Sequence, residues 1–554
     1  MKVQALINEG FKLLGSKKFD EAIEKLNQAL DGIEDKKSKI QDKESLIQEQ
    51  INVQALLCRC CLEYAKKVKD KDSEQLFGQA VKYRKQQLSL VKKITDEQNS
   101  LQKQILAQAW LGRCYLEQAI SIKDKKITQA KKLSKRAEKY FLSAVKRLSQ
   151  LINKSEREKL KKRINELLRD SYFLQEKWQN YFDQKKQGIR EKLFENIENK
   201  KDDLTDAIST ILAVLNIPPI ELGAIPLSHY TSPSVCERLF GIVSDKTNDN
   251  NPVNSSKVSP MRIGSSTYMN DPTEGEGLLE LLNLQDLELE NKADCPDYNA
   301  FFTCFSSRVN DLNQFRLYGK ENGVEASGCC LVFNKSGDWL KEPDVSASFK
   351  SFTSKQNQGF KKTIEADVVG SEDKNLPLYQ VAYIAYQDEY IAKERCSIWL
   401  SNKNKLKFGI RLKFFGNKGW HECRIGKLEE ALKQLINIFK GKANINDEDK
   451  KALEYIRYLF KDFAFRDEEE FRLLKIEQIG SDKIEYCNTT QSIYLPYANV
   501  RNMVDEVILG TNYEKSGKER KAEVFQHLMR KHYPNVKVSR SSLPINANPP
   551  IKKD

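Results

Sequence analysis

The first proline of the chain is Pro218, and only six glycines precede it. Proline breaks helices by removing a backbone donor and clashing with the preceding turn, so over two hundred residues without one is a strong constraint. Apolar residues recur at helical spacing through this stretch, which predicts an all-α segment from residue 1 to about 215. No single helix of a globular protein is that long, so the chain must fold back on itself repeatedly. Three segments share one pattern. In ALINEGFKLLGSKKFDEAIEKLNQAL, the small residues Gly10, Ala22 and Ala29 alternate with the large Leu14, Phe19 and Leu26. QALLCRCCLEYAKK with FGQAVKYRKQQL, and LAQAWLGRCYLEQA with AEKYFLSAVKRL, follow the same logic.

These segments resemble tetratricopeptide repeats, where small residues let two antiparallel helices approach and large ones fill between them. Their first helices start about 50 residues apart, against ~34 for that class, so the units are extended ones. The helical stretch SEREKLKKRINELLRDSYFLQEKWQNYFDQ caps the array or begins a connecting helix. The resemblance implies a solenoid with a concave, protein-binding face. Residues 1–220 carry 45 Lys+Arg against 31 Asp+Glu, whereas the remainder has 47 of each. The whole basic excess therefore lies in the helical half. It serves to keep a solenoid soluble, or to contact nucleic acid.

After Pro218-Pro219 the composition changes. Short β-type runs (YNAFFTCFSS, GCCLVFN, YQVAYIAY, EEFRLLKI, SIYLPY, DEVILG) alternate with helical stretches such as LEEALKQLINIFK. That alternation predicts an α+β domain. The expected layout is a helical array over 1–215, a linker over 216–226, the α+β domain over 227–540 and a mobile tail over 541–554. KTNDNNPVNSSKVSP reads as an inserted loop. The 12 cysteines are scattered and lack paired metal-ligand spacing, so free thiols in a reducing cytoplasm are expected, with no metal site. The most apolar stretch, AISTILAVLNIPPIELGAIPL, is interrupted by Pro218, Pro219 and Glu221, which argues against a membrane span.

LSHYTSPSVCERLF, RIGSSTYMNDPTEG, FFTCFSSRVNDLNQFRLYG, GCCLVFN and EEEFR form an ordered set. Together they resemble the bacterial domain-of-unknown-function 2971 family over most of 225–515. Phe315 stands where that family has a tryptophan, and the basic segment SNKNKLKFGIRLKFFGNKGWHECR has no counterpart in the resemblance. The motif order is in turn similar to that of ADP-ribosyltransferases, which use a first-strand His, a second-strand Ser or Tyr and a late-strand Glu. The resemblance implies NAD as substrate, His229 in the first position, Ser265, Ser266 and Tyr268 in the second, and Glu470 with Glu468 in the third.

The residue types suit that chemistry. Cleavage of the nicotinamide–ribose bond develops positive charge on the ribose, which a nearby carboxylate stabilises. Glu470 would take that role and Glu468 would orient or deprotonate the acceptor. Strand alternation over EEEFRLL puts Glu468, Glu470 and Arg472 on one exposed face. His229 would bond a ribose hydroxyl, Tyr268 would stack on the nicotinamide, and Ser265 or Ser266 would bind the ribose or carboxamide. Asn270-Asp271-Pro272 reads as a turn, with Glu274 capping the helix that follows. Phe315 and Tyr318 would pack a short helix on the sheet, and Cys304 would be core. No GxGxxG or GxxxxGK loop is present, which removes Rossmann and P-loop sites. The leading expectation is an NAD-consuming ADP-ribosyltransferase, or NAD glycohydrolase, acting as a bacterial effector or in defence. Its acceptor would be a protein side chain such as arginine, or a nucleic acid, and the repeats would recruit a protein partner. The alternatives are a non-enzymatic interaction scaffold and a nucleic-acid-binding or nuclease protein.

Overall fold

The computed structural model describes residues 2–36, 43–68, 70–194, 203–242, 260–269, 271, 273–285, 297–334, 339, 345–349, 375–389, 391–440, 447–488, 491–499, 501, 503–516 and 520–545. The chain forms two compact units, Met1–Gly188 and Ile189–Asp554. The inserted-loop segment up to 259, the turn residues Asn270 and Pro272, and the tail from 546 lie outside the described residues.

The first unit is helical: α1 (Lys2–Gly15), α2 (Phe19–Lys36), α3 (Lys43–Ala65), α4 (Asp70–Val91), α5 (Glu97–Ile122), α6 (Ile127–Leu148), α7 (Lys154–Leu174) and the start of α8 (Trp178–Phe194). Each helix from α1 to α7 packs on the next in sequence. Starts are set by capping side chains: Asp96 accepts from the backbone of Gln98 and Asn99, and Asn153 from that of Glu156. Small residues permit the close pairings. A Cβ on Gly10 would lie 2.7 Å from the Leu26 side chain, and one on Gly112 would lie 2.6 Å from the Phe141 ring. Phe141, Leu26, Ala22 and Ala29 are fully buried in these contacts. Between hairpins, Trp110 is sandwiched by the guanidinium groups of Arg84 and Arg113, each 4.7 Å from its ring.

The boundary between units falls near residue 188 instead of the expected 215. The cause is α9 (Asp203–Leu215), whose 11 residues from Leu204 to Leu215, all but Asp206, are buried within the second unit. It packs on the helix Lys418–Lys440 of that unit, where Arg424 donates to the carbonyl of Val214 at 3.0 Å. An amphipathic pattern reports that a helix has a partner, not which partner.

The second unit is α+β. Its strands are β1 (Leu227–Thr231), β2 (Arg262–Ser265), β3 (Tyr298–Ser306), β4 (Cys329–Phe333), β5 (Leu378–Gln380), β6 (Ala382–Tyr386), β7 (Ile398–Ser401) and β8 (Lys407–Arg411), then β9 (Phe460–Asp462), β10 (Glu470–Gln478), β11 (Glu485–Cys487), β12 (Ser492–Pro496), β13 (Val504–Leu509) and β14 (Lys537–Arg540). The larger sheet runs β11-β12-β2-β3-β1-β4-β13-β14, with β10 on β3 and β5 on β10. The smaller runs β7-β8-β6-β9.

The nine-residue β3 is the axis. One edge pairs with β10 along its whole length, from Glu470↔Ser306 to Gln478↔Tyr298. The other edge is shared: β2 pairs at Phe301 and Phe302, β1 at Ser306. Cys304, between them, is left with a free edge toward β1. Phe301, Phe305, Phe471 and Leu473 lie on the core side with Leu227, Leu331 and Val507. The path of β5 leaves this sheet at Val381, whose N–H donates to the carbonyl of Glu470, and enters the smaller sheet as β6. The smaller sheet is thereby brought against the first residues of β10.

Candidate functional site at the divided edge of the central strand

Glu468, Glu469 and Glu470 stand at the entrance to β10 in three different backbone settings. Glu468 ends a 3₁₀ turn (Phe463–Glu468), Glu469 is left-handed with φ 46°, and Glu470 begins the strand. The exposed face expected for Glu468, Glu470 and Arg472 is therefore not formed: these residues are 6%, 3% and 0% exposed. Their charges close on one another. Lys461 bonds Glu468 Oε2 at 2.7 Å and Glu470 Oε2 at 3.1 Å. Arg472 binds Glu470 through both Nε and a terminal nitrogen, and Glu274 at 2.6 Å through the other. Arg472 also donates to the carbonyl of Tyr458 and lies 4.4 Å over the Phe302 ring. Glu274 consequently does not cap the following helix, whose N-cap is Gly275 with no side-chain bond.

Burial raises the Glu470 carboxyl, but Arg472 and Lys461 outweigh it and hold the group well below the usual range. Burial pushes Glu468 up, Glu470's charge adds to this, and Lys461 opposes it. Tyr318 donates its hydroxyl to Glu468, so this side chain is not merely helix packing; Phe315 is, meeting Tyr230 edge-on at 5.1 Å. Cys304 neighbours Glu470, and burial drives its thiol far above the ordinary value.

Glu469 behaves differently. Its left-handed backbone turns the carboxylate away from Lys461 to accept from Ser307 Oγ at 2.5 Å, Arg308 at 3.2 Å and Lys413 at 2.5 Å. Burial works against its ionisation, but the bonds from Lys413 and Ser307 prevail and lower it. The side chains of Arg308 and Lys413 are 30% and 39% exposed, so a buried carboxylate, 8% exposed, is held at the rim by cations that reach solvent.

His229 lies at the same end of the sheet. Ser228, Ser306 and Glu470 are in register across β1, β3 and β10. His229, next after Ser228, falls on the opposite side from Glu470, with Phe305, whose ring is 6.0 Å away. Its Nδ1 meets the free Cys304 carbonyl at 2.9 Å. Its partner is a carbonyl, which only accepts, so Nδ1 donates, and burial lowers the ring's pKa, favouring the neutral form. In that form Nε2 is an acceptor, and it has no hydrogen-bond partner among the described residues. Ser307 continues the β3–β10 ladder by donating its N–H to the Glu469 carbonyl. His229 and the bonded Ser307–Glu469 pair thus lie at the same end of the sheet, where β1 leaves β3.

The remaining expected residues lie elsewhere. Ser265 pairs opposite Phe301, five residues along β3 from the Ser228–Ser306 bridge, about 17 Å at the usual rise. Ser265 and Ser266 are buried and bond Asn299 and Thr267. Tyr268 is 52% exposed on a 3₁₀ turn. The Ser-Ser-Thr-Tyr stretch is thus a structural corner, and Ser307 and Arg308 are the polar residues the motif reading passed over. The signal was present in FFTCFSSR, whose paired serines end a long apolar strand.

Among the described residues, no group of three or more His, Cys, Asp or Glu side chains is disposed to hold a metal ion. Among them, too, no helix is long and apolar enough to cross a membrane. No protein-family model matches the chain, and no curated protein sequence matches it.

Proposed function

We propose that the second unit consumes NAD, breaking the nicotinamide–ribose bond and passing ADP-ribose to an acceptor, and that the tetratricopeptide-like first unit binds the protein partner that directs it. The observation that carries this reading is the placement of His229 and the bonded Ser307–Glu469 pair at one end of the sheet, where the edge of β3 is divided. The first-strand His, a strand-end Ser and a late-strand Glu come from the same ordered motifs whose resemblance suggests this chemistry. Glu469 takes the role first expected of Glu470, because Glu470 is consumed by Lys461 and Arg472.

In this mechanism the glycosidic electron pair leaves with the nicotinamide nitrogen, neutralising its pyridinium charge. The developing ribose cation faces Glu469, kept ionised by Lys413 and Ser307. His229 accepts a ribose hydroxyl proton bond at Nε2, holding the sugar in place. The acceptor, an arginine side chain, another nucleophile or water, then bonds the anomeric carbon and gives up its proton to solvent.

The test is nicotinamide release from labelled NAD, with cell lysate supplying partners, by the native chain and by Glu469→Gln and Glu468→Gln variants. Glu469→Gln should lose roughly 100-fold or more of the rate, as when one electrostatic stabiliser is removed. Loss only in Glu468→Gln would move the chemistry to the Tyr318–Lys461 carboxylate. Release by neither variant nor native chain would leave the protein as a binding scaffold.

A further inference from the structure

Arg411, the last residue of β8, is 7% exposed, yet its guanidinium makes no hydrogen bond or ion pair among the described residues. A cation taken so far from water without a partner is costly. The other buried arginines of this unit are all engaged: Arg472 with Glu470 and Glu274, Arg424 with Gln380 and Val214, Arg457 with Glu454 and Gly275. The small part of Arg411 that stays exposed is the route by which a ligand would reach it.

The surroundings explain why no internal partner reaches it. Arg411 pairs in register with Tyr383, whose hydroxyl accepts from the backbone of Glu470. Two residues back, Gly409 leaves space that Cys396 and Trp399 fill, a Cβ there meeting Cys396 Sγ at 2.8 Å. That contact brings in Arg395, an exposed side chain that also lacks an ion-pair partner. Burial first, and Arg395 second, weaken Arg411's hold on its proton. The acidic groups facing it are committed elsewhere. Glu469 is held by Lys413, Arg308 and Ser307, while Asp467 is half exposed and meets Arg308 at 3.8 Å. Arg466, on the neighbouring turn, donates to the carbonyl of Phe463 and adds positive charge.

We infer that Arg411 and Arg395 form an anion subsite for the diphosphate of a dinucleotide whose ribose lies against Glu469. This identification of the ligand rests on the proposed NAD chemistry; the anion site itself rests on the unpartnered guanidinium. Two uncompensated cations match the two charges of a diphosphate, and an arginine fork suits phosphate oxygens. The subsite stands beside the reaction centre because Arg411 is paired with Tyr383, whose hydroxyl accepts from the backbone N–H of Glu470, the residue after Glu469.

The experiment is calorimetric titration of the full chain with inorganic phosphate, inorganic pyrophosphate and ADP-ribose, repeated on Arg411→Gln and Arg395→Gln. ADP-ribose should bind more tightly than pyrophosphate, and pyrophosphate more tightly than phosphate. Arg411→Gln should weaken ADP-ribose and pyrophosphate about tenfold or more, and Arg395→Gln about threefold. Pyrophosphate should raise the melting temperature of the native chain and not that of Arg411→Gln. Because Arg395 is exposed, its variant folds whatever becomes of Arg411. Unchanged affinity in both variants, or no binding of either diphosphate, overturns the subsite. Nicotinamide release is read separately. Release with an Arg411→Gln KM equal to native removes the subsite alone. Pyrophosphate binding lost on Arg411→Gln in a chain that releases no nicotinamide upholds the anion site alone.

Discussion

Glu470→Gln would strip Lys461 and Arg472 of the carboxylate they share in a dry site, leaving Lys461 with Glu468 and Arg472 with Glu274 alone. Breaking one partner of a buried ion network costs about 3–5 kcal/mol, so urea denaturation of Glu470→Gln should show a loss of that size. Glu469→Gln should cost about 1 kcal/mol or less, because its cations stay partly solvated. On the proposed function the first variant should be unstable and the second stable but inactive. Histidines give a pH signature. His421, beside Phe414 with its Nδ1 buried and unpartnered, has a pKa lowered by burial and then by Arg424 to about 4. His229 is lowered too. A histidine kept neutral in the fold binds fewer protons than in the unfolded chain. Its contribution is complete above pH 6.5 and is lost as pH falls toward 4. The urea midpoint should therefore drop across that window, and His421→Phe should flatten part of the drop. At this scale the sequence marked the acidic cluster but not its geometry. Alternation assigns faces only within a strand, and here one 3₁₀ residue and one left-handed residue precede the strand.

The elements were more readable. Gly10 and Gly112 sit where two helices touch, each against a large side chain of the neighbouring helix, Leu26 and Phe141. Alanine at 112 would press into the buried Phe141 ring, so Gly112→Ala should lose about 1–3 kcal/mol in chemical denaturation. The Tyr-Gly pair of the helix motif has a comparable reason. Gly319 has φ 74° and a Cβ there would lie 2.4 Å from the Thr231 carbonyl, so the close approach of that loop to β1 requires glycine. Strand existence followed from alternating or continuous apolar runs. Strand partners did not: no local pattern says that β3 receives β2 at one end and β1 at the other, nor that β5 passes into a second sheet as β6. That division of one edge is what exposes the Cys304 carbonyl to His229.

For the whole chain, two units with separate cores imply two unfolding events. Scanning calorimetry should resolve two transitions, Gly112→Ala lowering one and Glu470→Gln the other. Movement of both transitions by either variant would show that the units unfold together. The sequence by itself determined that a helical half precedes a mixed one, because proline content and hydrophobic period are local properties that a folded context rarely reverses. It also determined that the acidic run, the His motif and the strand-ending serines belong to the second half. Only the tertiary structure decided which residues meet. Long-range pairing put α9 with the second unit, sent Ser265, Ser266 and Tyr268 to a corner about 17 Å from the Ser228–Ser306 bridge, and buried Glu470 between two cations. It left Glu469 at the rim because a single positive φ turns one side chain out of the ion network, and such a dihedral is set by the sheets it joins rather than by its own residue type.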